Sequence, residues 1–223
     1  MFAALFAAAA LSSAPLDSQA VLERYASKLL TTEAPKTMVF SYAVSQAGPQ
    51  SIEQSHRMYR SGELVRDETL SVDGQSLKVK ITRIARYRNR YTIDSLAPRM
   101  TEYAFLFLRT LHAGGKYAYV YKAVPLGATG AFVVVGMTID GTTFLPSEIR
   151  FKSVSRAMTG TGSVAFARAG KYWMPVSAAV QATISGKPAR ERITFSSYQF
   201  PRSLPRSTFQ SPRPLPTPVL PEF

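Results

Sequence analysis

Between Val133 and Tyr198 the chain alternates extended runs with turn pairs, and this alternation limits the possible folds more than any other feature. The runs are VVVGMTID, FLPSEIRFKSV, SVAFARA, YWMPVSAAVQATI and ARERITFSSYQF, rich in β-branched and aromatic residues. Between them stand Asp140-Gly141, Gly160-Thr161-Gly162, Gly170-Lys171 and Gly186-Lys187-Pro188. Asp-Gly and Gly-x pairs supply the positive φ that a tight hairpin needs. An antiparallel meander is the expectation.

The same rhythm begins near Thr37. In MVFSYAVS, Phe40, Tyr42 and Val44 fall on one face, because strand side chains alternate. Gly48-Pro49, Gly62 and Asp73-Gly74 separate this run from IEQSHRMYRS, LVRDETLSV and LKVKIT. In the last, Leu77, Val79 and Ile81 oppose Lys78 and Lys80. RYRNRYTI is expected to continue as strand, with Arg86, Arg88 and Arg90 on one side and Tyr87 and Tyr91 on the other. Pro98 and Gly114 would suit the two ends of a helix. The alternation of Tyr103, Phe105 and Phe107, followed by KYAYVYKAV after Gly114-Gly115, favours a hairpin.

Two terminal stretches depart from this pattern. Phe2–Leu11 is an apolar run followed by Ser12, Ser13 and Ala14, which reads as a signal peptide over residues 1–14 without the usual preceding cation. From Leu16 to Leu30 the apolar period turns helical through Val21, Leu22, Tyr25 and Leu29, with Asp17 or Ser18 as N-cap and Pro35 as a stop. The main domain is therefore expected over 15–200. After it, residues 201–223 are Pro-dense and short of sheet donors. They read as an extended tail: a ligand for an aromatic groove, a strap along a sheet edge, or a loosely packed end.

Composition narrows the chemistry. The absence of Cys excludes disulfides, thiolate metal sites, a cysteine nucleophile and a lipidated N-terminal Cys. The two histidines, His56 and His112, lack metal-ligand spacing, and no nucleophile elbow or phosphate-binding loop occurs. Asp67 and Glu68 are adjacent and would point to opposite faces of a strand. The expectation is a protein that is not an enzyme and uses no metal or cofactor. Lys+Arg 27 against Asp+Glu 14 gives a net charge of +13, which favours anionic partners. Lys78, Lys80, Arg86, Arg88 and Arg90 make a basic face, suited to anionic head groups or acidic proteins, or simply to keeping a sheet soluble. Export argues against nucleic acid.

A single curved sheet with one helix has more rings than its length suggests. Phe40, Tyr42, Tyr103, Phe105, Phe107, Tyr119, Tyr121, Phe132, Phe151, Phe166 and Trp173, joined by Met58, would line one face, either as core or around an apolar ligand.

The order of helix, VFSYAVS, LVRDE, TIDGTTFLPSEIRF, GKYWMPVSAAV and RERITFSSYQF resembles the periplasmic lipoprotein-carrier superfamily that includes LolA, LolB and RseB, over about Leu16–Phe209. The resemblance implies a mainly β fold: one strongly curved antiparallel sheet of about 10–11 strands, an incomplete barrel, with the N-terminal amphipathic helix over its concave face. It implies a cavity for acyl chains of lipids or lipoproteins. The chain is expected to be an extracytoplasmic monomer, the alternative being an envelope sensor or scaffold that binds protein partners or anionic polymers through its basic face and Pro-rich tail. The resemblance also gives Arg66 a role in holding the helical lid closed. The chain departs from the family in lacking an evident second lid helix and in carrying the Pro-rich tail.

Overall fold

The first and last strands lie side by side, and the others fan outward from that seam. The computed structural model describes residues 15–48, 51–86, 93–128, 130, 132–154, 158–184 and 186–210. Among these, helix α1 (Ser18–Thr31) precedes β1 (Thr37–Ala47), β2 (Ile52–Ser61), β3 (Leu64–Val72) and β4 (Gln75–Arg86). A short helix, α2 (Ile93–Leu96), leads to β5 (Tyr103–Ala113), β6 (Lys116–Pro125), β7 (Phe132–Asp140) and β8 (Pro146–Val154). Then follow β9 (Met158–Ala169), β10 (Tyr172–Ile184) and β11 (Lys187–Gln199). All pairings are antiparallel, in the order β4-β3-β2-β1-β11-β10-β9-β8-β7-β6-β5. The ends β4 and β5 do not meet, so the sheet is an open half-barrel.

Local chemistry explains most boundaries. The Asp17 carboxylate accepts from the Gln19 and Ala20 amides at 2.9 and 3.3 Å, satisfying donors that the first helical turn leaves open. At Asp73-Gly74 both residues take positive φ (48° and 77°), the geometry whose twist matches the flanking strands β3 and β4. Register shifts at Val39/Ser41, Ser55/His56, Phe107/Arg109 and Pro175/Ser177 mark irregularities that bend the strands and curve the sheet.

The core lies between α1 and the concave face. Val21, Leu22 and Tyr25 are its helical contribution, set against Met38, Phe40, Tyr119, Tyr121, Met137, Ile139, Ile149, Val164 and Phe166. The outward face of α1 carries Gln19, Glu23, Arg24, Ser27 and Lys28, with Leu30 exposed in the last turn.

Three expectations are corrected. Gly160-Thr161-Gly162 is not a turn but part of β9. Gly162 faces Phe151 across β8 and Val180 across β10. A Cβ there would stand 2.5 Å from Phe151 Cζ and 2.7 Å from the Ala179 carbonyl, so close approach of neighbours is what requires glycine. Asp140-Gly141 opens a loop rather than a two-residue hairpin. The Asp140 carboxylate accepts from the amides of Thr142 and Thr143, and the chain re-enters the sheet only at Pro146. The run RYRNRYTI does not end as strand, since Ile93 opens α2; residues 87–92 lie outside the described ones. The proposed signal at 1–14 and the tail beyond Gln210 are likewise outside them.

Candidate functional site: the concave face and its cover

Strand alternation sorts the candidate residues onto faces. Phe40, Tyr119, Tyr121 and Phe166 are buried in the core beneath α1. Tyr42, Met58, Tyr103, Phe105, Phe151 and Trp173 are half-buried against it. Phe107 and Phe132 keep 44% and 42% of their surface exposed, which makes them rim rather than floor. Among the ring contacts, Phe107 meets Tyr121 edge-on at 5.7 Å, and two further groups stand out. Phe40, Tyr42, Phe195 and Tyr198 pack near the seam, with Phe40 and Tyr198 centroids 5.3 Å apart. Phe132 and Phe151 lie 4.7 Å apart on β7 and β8.

The cover is held by tyrosines. Tyr25 Oη donates to the Pro98 carbonyl at 2.6 Å, and Tyr121 Oη donates to the Ser18 carbonyl at 2.8 Å. The Leu16 amide donates to Tyr119 Oη at 2.8 Å, and the Tyr25 ring meets Phe105 edge-on. Burial pushes the Tyr25 phenol well above its ordinary value, against a smaller opposing pull from Arg99. Burial, followed by the charges of Tyr119 and Asp17, does the same for Tyr121. All three bonds tie α1 and its approaches to β6 and the α2–β5 connection.

Past the helix the concave face stays open at one end. There a cleft of about 210 Å³ is lined by Phe132, Phe151, Val180, Ala182 and Ala189, with Arg190 and Glu191 at its edge. Its lining is mostly apolar because β9 and β10 present Gly160, Ala182 and Val180 on this face. At the opposite end, beyond the C-terminus of α1, a cleft of about 380 Å³ is lined by Lys28, Glu33, Arg168, Lys171, Tyr172 and Trp173. Trp173 belongs to this polar mouth, its Nε1 donating to the Pro146 carbonyl at 2.7 Å.

Arg66 does not reach the helix. Its neighbour Asp67 points to the concave side, accepting from Tyr42 Oη at 2.6 Å, so Arg66 points to the convex side. There its guanidinium pairs with the buried Glu68 at 2.6 Å and donates to the Thr208 carbonyl at 3.0 Å. The lid role that the resemblance implies is thereby corrected: Arg66 holds the short 3-10 turn Arg206–Phe209 of the tail. Of the basic face, Lys78, Lys80 and Arg86 lie exposed on β4, while Arg88 and Arg90 are outside the described residues.

One group escaped sequence reasoning. His56 is buried beneath Tyr42, the two rings stacked 4.5 Å apart. Its Nδ1 lies 3.2 Å from Asp67 and its Nε2 3.2 Å from Gln54 Oε1. The alternation of β2, which puts His56 on the side of Met58, was the available signal. With both ring nitrogens engaged by protein, this imidazole braces the concave face of β1–β3.

No family model and no curated protein matches the sequence. Solved structures do resemble it. A LolA superfamily protein from Nitrosomonas europaea is similar over 88% of this chain and 99% of its own, at 14% identity and a TM-score of 0.43. A putative outer membrane lipoprotein-sorting protein domain from Vibrio parahaemolyticus matches over 86% and 97%, at 14% identity and a TM-score of 0.49. A DUF1329 family protein from Desulfovibrio piger matches over 86% and 96%, at 10% identity and a TM-score of 0.47. The likeness is one of fold. Of the group that the sequence resembles, a LolA superfamily protein is named among these structures. Among the described residues no helix is long and apolar enough to cross a membrane.

Proposed function

We propose that this is an exported binding protein, working in the periplasm or another extracytoplasmic space. It would take a hydrocarbon chain of a lipid or lipoprotein on its concave face, with α1 as a movable cover. The observation that carries this reading is the continuity of the apolar floor: the face under α1 and the open cleft at Phe132 and Phe151 are one surface. Binding rather than catalysis fits the only buried imidazole described, whose two nitrogens already have partners.

Size decides how the site would work. Small-molecule pockets usually hold ~300–1,000 Å³. The open cleft, at about 210 Å³, would admit only the end of a chain. Deeper entry requires α1 to leave. Its three buried side chains, Val21, Leu22 and Tyr25, contribute roughly 1.5–3 kcal/mol each, or about 4.5–9 kcal/mol together. A buried methylene returns ~0.8 kcal/mol, so about six to eleven methylenes offset the displaced helix. That is the length of a fatty acyl chain, and shorter chains would not open the cover.

The experiment is titration of a fluorescent long-chain fatty acid into protein purified without detergent, alongside native mass spectrometry for co-purified lipid. Ala182→Phe, which fills the cleft, should abolish binding; Tyr25→Phe, which loosens the cover, should strengthen it. A clean apo mass together with no binding to wild type or Tyr25→Phe would remove the proposal.

A further inference from the structure

One rung of residue pairs crosses the sheet from β5 to β11. Leu106 pairs with Lys122, Lys122 with Gly136 and Gly136 with Arg150; Arg150 then pairs with Ser163, Ser163 with Ala179 and Ala179 with Arg192. The adjoining rung, Tyr121, Met137, Ile149, Val164 and Ala178, belongs to the core, so this one faces outward. The same alternation turns Arg109 outward beside Val120, and Lys152 and Arg190 outward one rung further along. Six cations therefore share the convex face, and among the described residues none of them is in an ion pair. Glu148 is the carboxylate set among them; Asp140, at the margin, accepts from the Thr142 and Thr143 amides. Lys122, Lys152, Arg190 and Arg192 are exposed. Arg150 lies flat on the sheet: a Cβ on Gly136 would stand 2.7 Å from its Nη2, and its Nε is buried with no hydrogen-bond partner. Aliphatic side chains are interleaved with these charges. Leu106, Leu111 and Val124 project from the same face of β5 and β6 and keep 53%, 41% and 36% of their surface exposed.

We infer that this convex face docks on a bilayer surface rich in anionic phospholipid. The cations meet the phosphates, while Leu106, Leu111 and Val124 enter the boundary between head groups and acyl chains. Charge complementarity and the exposed aliphatic groups together select this occupant. A soluble anionic polymer would neutralise the cations but leave the leucines in water. A second copy of a chain of net +13 would set like charge against like. An acidic protein is the rival that the test separates. The inference does not rest on the acyl-chain reading, because that site opens on the concave face.

The test is co-sedimentation of the full chain with vesicles of mixed phosphatidylglycerol and phosphatidylcholine, beside vesicles of phosphatidylcholine alone. The protein should bind the first and not the second. Lys122→Gln combined with Arg192→Gln should weaken binding about 25-fold, near fivefold for each cation withdrawn from an anionic surface. Arg24→Gln combined with Lys28→Gln makes the same change of net charge on the exposed side of α1, across the molecule, and should bind as wild type does. Leu106→Thr, which keeps strand propensity, should weaken vesicle binding severalfold, and unchanged thermal melting of each variant confines the effect to the face. Equal weakening by the two charge pairs overturns the inference, since bulk charge would then suffice. So does equal binding to both kinds of vesicle, or binding to polyglutamate without binding to phosphatidylglycerol.

Discussion

Gly162→Ala turns on a question of sign. Gly162 sits in β9 without positive φ, so alanine by itself should stabilise the chain by ~0.4–1 kcal/mol through a less free unfolded state. Its added methyl, however, would meet Phe151 Cζ at 2.5 Å and the Ala179 carbonyl at 2.7 Å. The ring can swing; the carbonyl belongs to the β9–β10 ladder and cannot move cheaply. Overpacking of this kind costs ~1–3 kcal/mol, which outweighs the entropic gain and leaves a net loss of about 1–2 kcal/mol. For a chain of this size each kcal/mol lowers Tm by about 2–4 °C, so a fall of about 2–8 °C is expected in a thermal melt followed by circular dichroism. Gly127→Ala, where no atom lies within 4 Å of the new methyl, is the control and should melt at or above wild type. Phe151→Leu in the Gly162→Ala background should recover part of the loss by removing Cζ. A Gly162→Ala protein as stable as wild type would refute the claim that close approach dictates this glycine.

Tyr25→Phe keeps the ring and loses the bond to Pro98, so it should cost about 1–3 kcal/mol in urea unfolding, the range for leaving a buried acceptor unpaired. Arg66→Met would remove the closer of the two cations bonded to the buried Glu68 and leave Lys80 at 3.4 Å; a loss near ~3 kcal/mol is expected, partly regained by adding Glu68→Gln. Alkaline pH should unfold the protein. Burial raises the phenols of Tyr25, Tyr121 and Tyr198 above the unfolded value of ~10, so their stabilising contribution is complete below pH ~10 and falls as pH rises from there toward the folded values. Phenolate absorbance should therefore show these three ionising together with loss of structure, and a titration in which all tyrosines ionise while the fold persists would contradict this.

The strands were legible because alternation and turn pairs are local. IEQSHRMYRS and LVRDETLSV are β2 and β3 with their bounds as the turns at Gly62 and Asp73-Gly74 placed them. Glycine misled where its reason was tertiary: Gly160 and Gly162 carry the same letters as a hairpin, but the demand on them comes from Phe151 and β10. The ring inventory found the concave face yet could not separate floor from rim. That difference depends on where α1 lies, which buries Tyr121 and leaves Phe107 exposed. Arg66 was placed by resemblance alone, whereas its own strand parity with Asp67 already sends it to the convex side.

The pairing of β1 with β11 sets an order of assembly. Tyr42 has its partner Phe195 near the other end of the chain, so the first strand made must wait for the last before its second neighbour exists. Until then two separate meanders, β1–β4 and β5–β11, can form from local contacts alone, each exposing an edge at the future seam. Joining them requires a long loop closure, the kind of step that slows folding and lengthens exposure to aggregation. A chaperone that shields β1 during this interval would act on the most vulnerable stage in the life of the molecule.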